Sequence, residues 1–122
     1  MYIEIDFNSD EAIYVQLKNQ IIVAIATSQI KEGDSLPSVR NMADDIGINM
    51  HTVNKAYSSL KQDGFLRIDR RRGAVVALDI DKISSMAAMK AQLRPLVAQA
   101  ICKGISRQEA IELVNKLYEE LE

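Results

Sequence analysis

The chain has 122 residues and a mass of 13.6 kDa, which suits one domain or one small domain with a short appendage. Apolar residues make up 48% of it and charged residues 26%, so it can bury a core and is not largely disordered. No apolar run approaches the ~20 residues of a membrane span, and the N-terminus lacks the basic-then-apolar pattern of a signal peptide. A single cysteine, Cys102, and a single histidine, His51, exclude an internal disulfide and a cysteine-based zinc cluster. We therefore expect a soluble cytoplasmic protein with no membrane contact, metal or cofactor, in which Cys102 is a small buried residue.

Charge is unevenly distributed along the chain. The formal net charge is −2, yet residues 35–73 carry seven Lys and Arg against four Asp and Glu, a net charge of +3. The segments on either side, residues 1–34 and 74–122, have net charges of −4 and −1. A partner rich in phosphates therefore needs only the middle segment to face it.

The first half of the chain predicts a strand followed by helices. Apolar and acidic residues alternate over residues 2–7, which predicts a short strand, and residues 8–10 offer a turn and a helix cap. Apolar residues recur at every third or fourth position over residues 11–30, which predicts a first helix with one buried face. A short second helix is predicted from Pro37 to Gly47, since a glycine takes a positive φ at a helix end with little cost.

The second half predicts a third helix, a hairpin and a helical tail. Asn49 is a good N-cap for the third helix, which ends at a glycine. Residues 65–68 and 74–78 are β-rich and are joined by a basic turn. The tail begins with a long helix that we expect to kink or break near Arg94, because the proline that follows, Pro95, removes a backbone donor and clashes with the preceding turn. The last helix starts at a capping box formed by Ser106 and Glu109.

A helix-turn-helix followed directly by a basic hairpin is the plan of a winged helix. The segment Gly33-Asp34-Ser35-Leu36-Pro37-Ser38-Val39-Arg40 resembles the pattern G-x-x-L-P-S-x-R of the GntR family of bacterial transcription regulators. Further matches follow in the family's order and spacing: Met42-Ala43, Thr52-Val53, Ala56-Tyr57, Leu60, Gly64 and Arg72-Gly73. The opening Ile13-Tyr14-Val15-Gln16-Leu17 and the short tail resemble the YtrA-like subgroup. The resemblance implies a mainly α fold with a small β wing, namely a winged helix-turn-helix (residues 1–78) followed by a helical dimerisation tail (residues 79–122).

The third helix is the candidate for reading DNA, because the second helix of a helix-turn-helix lies in the major groove. Its candidate contact residues are Asn49, Met50, His51, Thr52, Asn54 and Lys55. Asn54 can pair with adenine and Met50 can touch a thymine methyl group, whereas Lys55 suits a phosphate. The plainer alternative is a polar face that is only solvated.

The family resemblance adds contacts at the second helix and at the wing. It implies that Ser38 and Arg40 touch DNA, with Arg40 as a principal anchor; the alternative is a helix cap and a surface arginine. Arg70, Arg71 and Arg72 lead to Gly73 at the wing tip and suit phosphates or a narrow minor groove, although such a turn can also be only solvated. The family often has other residues at the positions of Met50, His51, Asn54 and Ala74, which points to a different operator sequence and not to a different binding mode.

The tail is the candidate for assembly. Its 44 residues are too few to enclose a separate ligand pocket. The resemblance implies a homodimer, whose candidate interface residues are Met86, Met89, Leu93, Val97, Ile101, Val114 and Leu117. The predicted function is a DNA-binding regulator, by family default a repressor, that binds an inverted-repeat operator in double-stranded DNA. The alternative is a winged-helix scaffold for protein partners, and an enzyme is not expected because no nucleophile, phosphate-loop or zinc motif is present.

Overall fold

The computed structural model describes all 122 residues and divides them into two units, Met1–Asp79 and Ile80–Glu122. The first unit contains α1 (Ile13–Ala26), α2 (Val39–Ile46), α3 (Met50–Gln62), β1 (Leu66–Asp69) and β2 (Gly73–Val76). The second unit contains α4 (Lys82–Cys102) and α5 (Arg107–Leu121). Five helices and one two-stranded antiparallel sheet confirm the predicted fold class.

The core of the first unit is built around α3, which packs against α1, α2 and β1. Helical spacing places Val53, Ala56, Tyr57 and Leu60 on the buried face of α3. The other helices and the hairpin complete the core with Leu17, Ile21, Met42, Ala43, Leu66 and Val76. The face of α3 opposite this core is left free.

Local caps fix the turn between α2 and α3. Gly47 ends α2 with φ +70°, and its N–H donates to the Ala43 carbonyl at 2.9 Å. The Asn49 side-chain oxygen accepts a hydrogen bond from the His51 N–H at 2.7 Å and caps α3. Both predicted roles, the Gly47 end and the Asn49 cap, are confirmed.

The wing is tied to the loop that leads into α2. β1 and β2 pair from Leu66 opposite Val76 to Asp69 opposite Gly73. The segment before α2 runs along the other edge of β2: the Leu36 N–H donates to the Ala74 carbonyl, and the Val76 N–H donates to the Asp34 carbonyl, both at 2.8 Å. A movement of the wing would therefore pull on the start of α2.

The predicted strand at residues 2–7 is wrong, because no other strand pairs with this segment. Two glutamines on α1 take the partner strand's place. The Gln16 side-chain amide bonds both the N–H (2.9 Å) and the carbonyl (3.0 Å) of Asp6, and the Gln20 side-chain amide pairs with the N–H and carbonyl of Glu4. The alternation in sequence reflects one-sided burial and not membership of a sheet.

The predicted bounds of the first helix are also wrong, since α1 is shorter at both ends. Its N-cap is Ala12, which makes no side-chain cap bond, so residues 8–10 do not cap it. It ends at Ala26, and Ser28 then adopts φ +62° while the Gln29 N–H bonds the Ala24 carbonyl at 2.9 Å. The left-handed residue turns the chain away before the predicted end.

The second unit bears on two further expectations. α4 runs from Lys82 through Pro95 to Cys102 as one helix, so the predicted break is absent, because a proline removes only one backbone donor; the alternative, a kink, stays a prediction. Cys102 is exposed, not buried. The capping box is confirmed: the Glu109 N–H donates to the Ser106 hydroxyl at 3.1 Å, and the Ser106 N–H donates to the Glu109 carboxylate at 3.0 Å.

Candidate nucleic-acid interface

The free face of α3 carries the candidate contact residues that the sequence singled out, which are polar except for Met50. Met50, His51, Asn54 and Lys55 are exposed and Thr52 is half-buried. They alternate with the buried residues of the core face, so the helix presents a continuous polar surface to solvent. Asn49 is exposed beside them, but its side-chain oxygen is used by the cap.

An open groove of about 410 Å³ brings three elements of the first unit together. Its walls are the start of α2, the polar face of α3 and the wing. Ser38 lines it from the first of these, Asn54 from the second and Gly73 from the third. The groove also contains Lys61 and Ile68, which were not among the predicted site residues. Lys61 lies seven positions after Asn54, so helical spacing alone could have placed it on this face. Ile68 is 56% exposed on β1, and only the fold brings it to the groove.

The start of α2 is locally ordered and its arginine is free. The Ser38 hydroxyl accepts a hydrogen bond from the Asn41 N–H at 3.1 Å, so Ser38 is the helix cap that was one of its two predicted roles. Arg40 is exposed in the first turn of α2. It takes no part in the two ion pairs of the chain, which join Lys18 to Asp63 and Arg67 to Asp69. Its guanidinium group is available for an external partner.

A buried hydrogen bond connects α3 to this start of α2. The Tyr57 side chain is 3% exposed, and its hydroxyl donates to the Pro37 carbonyl at 2.8 Å. Burial raises the pKa of Tyr57 above its ordinary value, so the hydroxyl, already a donor at neutral pH, keeps its proton under alkaline conditions as well. Sequence reasoning had identified Tyr57 only as a core residue.

The wing tip is organised by one carboxylate. Asp69 accepts hydrogen bonds from the N–H groups of Arg71 (2.8 Å) and Arg72 (3.0 Å), and from the Arg67 side chain (3.3 Å). The two backbone bonds, and then the Arg67 bond, hold the pKa of Asp69 below its ordinary value. An ionised Asp69 therefore shapes the turn that presents the arginines.

The three wing arginines differ in what their side chains do. The Arg72 guanidinium donates a hydrogen bond to the Gly33 carbonyl and so ties the wing to the loop before α2. The exposed side chains of Arg70 and Arg71 make no hydrogen bond or ion pair within the chain. Arg70 and Arg71 thus place two unpaired positive charges at the tip of the wing.

Lys55 is held on the side of α3 that faces α1. Its ammonium nitrogen lies 4.1 Å from the centre of the Tyr14 ring, a cation–π contact. The nearby ammonium group of Lys18 bonds Ser59 at 3.2 Å and Asp63 at 3.0 Å. Lys55 is therefore oriented by α1 before any partner binds.

The second unit leaves its apolar side chains uncovered, since neither α4 nor α5 contains a buried residue. The exposed set includes every predicted interface residue: Met86, Met89, Leu93, Val97, Ile101, Val114 and Leu117. Leu93, Val97 and Val114 help to line an apolar groove of about 590 Å³ between the two helices.

No group of His, Cys, Asp and Glu is arranged to hold a metal ion. None of the helices combines the length and apolar character needed to cross a membrane.

Comparison with known proteins agrees with this arrangement. The sequence model for "Bacterial regulatory proteins, gntR family" matches residues 11–76. The HTH-type transcriptional repressor YtrA of Bacillus subtilis is 31% identical over 118 residues, which cover 94% of this chain and 91% of that protein. The solved structure of YtrA from Sulfolobus acidocaldarius, described as a GntR-family transcription factor, is 37% identical with a TM-score of 0.61 and covers 98% of both chains.

Two further solved structures share the fold. A transcriptional antiterminator from Listeria monocytogenes superposes with a TM-score of 0.89 at 23% identity, over 99% of this chain and 92% of that one. The DNA-binding domain of AraR, solved in complex with operator ORE1, has a TM-score of 0.53 at 23% identity and covers 63% of this chain and 94% of that one. The family and the relatives named here are transcriptional regulators and not enzymes, as predicted from the sequence. The chain belongs to the GntR family of bacterial transcriptional regulators and resembles its YtrA-type members.

Proposed function

We propose that this chain is a transcriptional repressor that binds an inverted-repeat operator in double-stranded DNA as a homodimer. The observation that carries the proposal is the groove formed by the start of α2, the polar face of α3 and the wing. A duplex has the polyanionic surface that suits the unpaired guanidinium groups of Arg40, in the first turn of α2, and of Arg70 and Arg71, at the wing tip. A protein-binding scaffold would need neither the free arginines nor the polar face.

The proposed DNA contacts fall into two kinds. Lys55 and the wing contact phosphates or the minor groove and fix the register, Arg40 makes a bidentate contact to a base or a phosphate, and the exposed side chains of α3 reach base edges. The complete proposed set is Ser38, Arg40, Asn49, Met50, His51, Thr52, Asn54, Lys55, Arg70, Arg71, Arg72 and Gly73. Within it, Ser38 and Asn49 also cap their helices, and Arg72 also holds Gly33.

The second unit supplies the proposed dimer interface. Its large apolar side chains are exposed along both helices: Val97 is 51% exposed and Ile101 is 72% exposed. Contiguous apolar surface of this kind is normally covered by a partner, and a second copy offers the same surface for burial around a two-fold axis. We therefore assign residues 1–78 to DNA binding and residues 79–122 to dimerisation.

The symmetry of the dimer determines the form of the operator. Two recognition helices related by a two-fold axis meet half-sites about one helical turn, ~10 bp, or a multiple of it apart. Such a dimer acts on DNA in the cytoplasm. The repressor role is supported by the related YtrA of Bacillus subtilis, which is named a transcriptional repressor. A dimer bound to an operator within a promoter would block the binding of RNA polymerase.

Selection from a pool of random duplexes tests the proposal directly. The wild-type protein should enrich an inverted repeat, and light scattering should give the mass of a dimer both free and on the enriched duplex. Enrichment of a single asymmetric site would contradict the symmetric arrangement. A pool that stays random through repeated rounds would contradict sequence-specific DNA binding altogether.

Replacing Arg70 and Arg71 together by Ala should weaken binding to all duplexes alike. Each lost phosphate contact should reduce the slope of log affinity against log salt by about 0.9, because fewer counterions are released. Salt titrations of the variant and the wild type measure this slope. Replacing Lys103 and Lys116 by Ala removes the same charge from the second unit and should leave the slope unchanged. An unaltered slope for the wing variant would mean that the wing does not touch the backbone.

A further inference from the structure

We infer that Tyr57 is a positioning residue for DNA binding: its buried hydroxyl sets where Ser38 and Arg40 meet the duplex. The inference rests on the proposed function, since it concerns how that interface is held in shape. Tyr57 lies in the wall of the groove but is only 3% exposed, and its hydroxyl is already bonded to the Pro37 carbonyl, so we infer that it acts through the residues that it holds.

The hydrogen bond from Tyr57 reaches the residue that directly precedes the N-cap of α2. Tyr57 lies in the middle of α3, and its hydroxyl donates to the carbonyl of Pro37, directly before the α2 cap Ser38. This is the only hydrogen bond that the Pro37 carbonyl accepts. It also fixes the peptide plane from which Ser38 and the first turn of α2 continue.

No other hydrogen bond joins the α2 lead-in to α3. The backbone of the lead-in pairs with the wing instead, through the bonds of Asp34 and Leu36 to β2. The remaining contacts between the two helices are apolar, through residues such as Met42 and Ala43. Apolar contacts are non-directional, whereas a hydrogen bond weakens steeply when its distance or angle departs from the optimum. The hydrogen bond of the Tyr57 hydroxyl is thus the contact that fixes the position of the start of α2, and with it Arg40, relative to α3, the helix proposed to read DNA.

The Tyr57→Phe variant separates positioning from packing. The ring stays in the core, so the protein should fold, but the start of α2 loses its fixed distance from α3. The probe is the duplex that the wild-type protein enriches from the random pool. We expect Tyr57→Phe to bind this duplex roughly threefold to tenfold more weakly, the equivalent of one net hydrogen bond. Amide exchange at Asn41, whose N–H is capped by Ser38, should become faster.

Ile21→Val is the matched control for stability. Ile21 is fully buried on α1, and its truncation destabilises a core by an amount comparable to loss of the hydroxyl. Ile21→Val should bind the enriched duplex as the wild type does. If it loses as much affinity as Tyr57→Phe at equal stability, the role of Tyr57 is purely structural and the inference is wrong.

A double-mutant cycle with Arg40→Ala completes the test. If Tyr57 positions Arg40, then Arg40→Ala should cost less affinity in the Tyr57→Phe background than in the wild type. Strictly additive losses, or an Arg40→Ala variant that binds normally, would overturn the inference while leaving DNA binding by the wild type intact. Failure of the wild type to enrich any duplex would instead refute the proposed function itself.

Discussion

Removing residues 80–122 should leave a folded winged helix that binds the enriched duplex at least about 100-fold more weakly than the intact protein. All of the buried residues of the chain lie in the first unit, so its core does not depend on the removed helices. Asp79 is kept, because its N–H donates to the Gly64 carbonyl at 2.9 Å and closes the base of the wing. The lost affinity is the gain from linking two half-site contacts, which is typically 10²–10⁴-fold.

Three measurements check this result. Light scattering should change from the mass of a dimer to that of a monomer, thermal unfolding should remain cooperative, and a titration of the enriched duplex should show the weaker binding. Leu93→Glu combined with Val114→Glu should give the same outcome in a chain of full length, since both side chains lie on the exposed apolar surface of the second unit. An intact protein that is a stable monomer at micromolar concentration would rule out dimerisation through the tail.

Arg40→Ala should weaken binding to the enriched duplex by about 1–3 kcal/mol, the range for loss of a good bidentate contact. The free energy of unfolding should change little, because Arg40 is exposed and takes no part in either ion pair of the folded chain. Fluorescence anisotropy with the labelled duplex measures the first quantity, and denaturant titration measures the second.

Arg107→Ala is the matched control for this variant. Arg107 is also an exposed arginine in the first turn of a helix, but it lies in the second unit. Its replacement removes the same charge and the same type of side chain; since Arg107 borders the apolar groove of the second unit, light scattering should first show an intact dimer, and DNA affinity should then stay near that of the wild type. Equal effects of the two substitutions would show that Arg40 contributes only net charge and is not an anchor.

The sequence alone determined the features whose chemistry is local. A helix end or cap involves residues within four positions of each other, so Gly47, Asn49 and the Ser106–Glu109 capping box were all predicted correctly. The three- and four-residue spacing of apolar residues likewise identified the buried face of α3. Together with the family motifs, these signals were enough to identify a winged helix-turn-helix.

Only the tertiary structure decided the features that depend on a distant partner. The alternation at residues 2–7 does not reveal that its neighbours are the amides of Gln16 and Gln20, and not a strand. No local pattern shows that Tyr57 reaches Pro37, 20 residues away, or that the guanidinium of Arg72 holds Gly33. Ile68 joins the groove only because the wing folds back beside α3. In each case the outcome depends on which groups packing brings within hydrogen-bonding or van der Waals distance, and periodicity and capping rules do not contain that information.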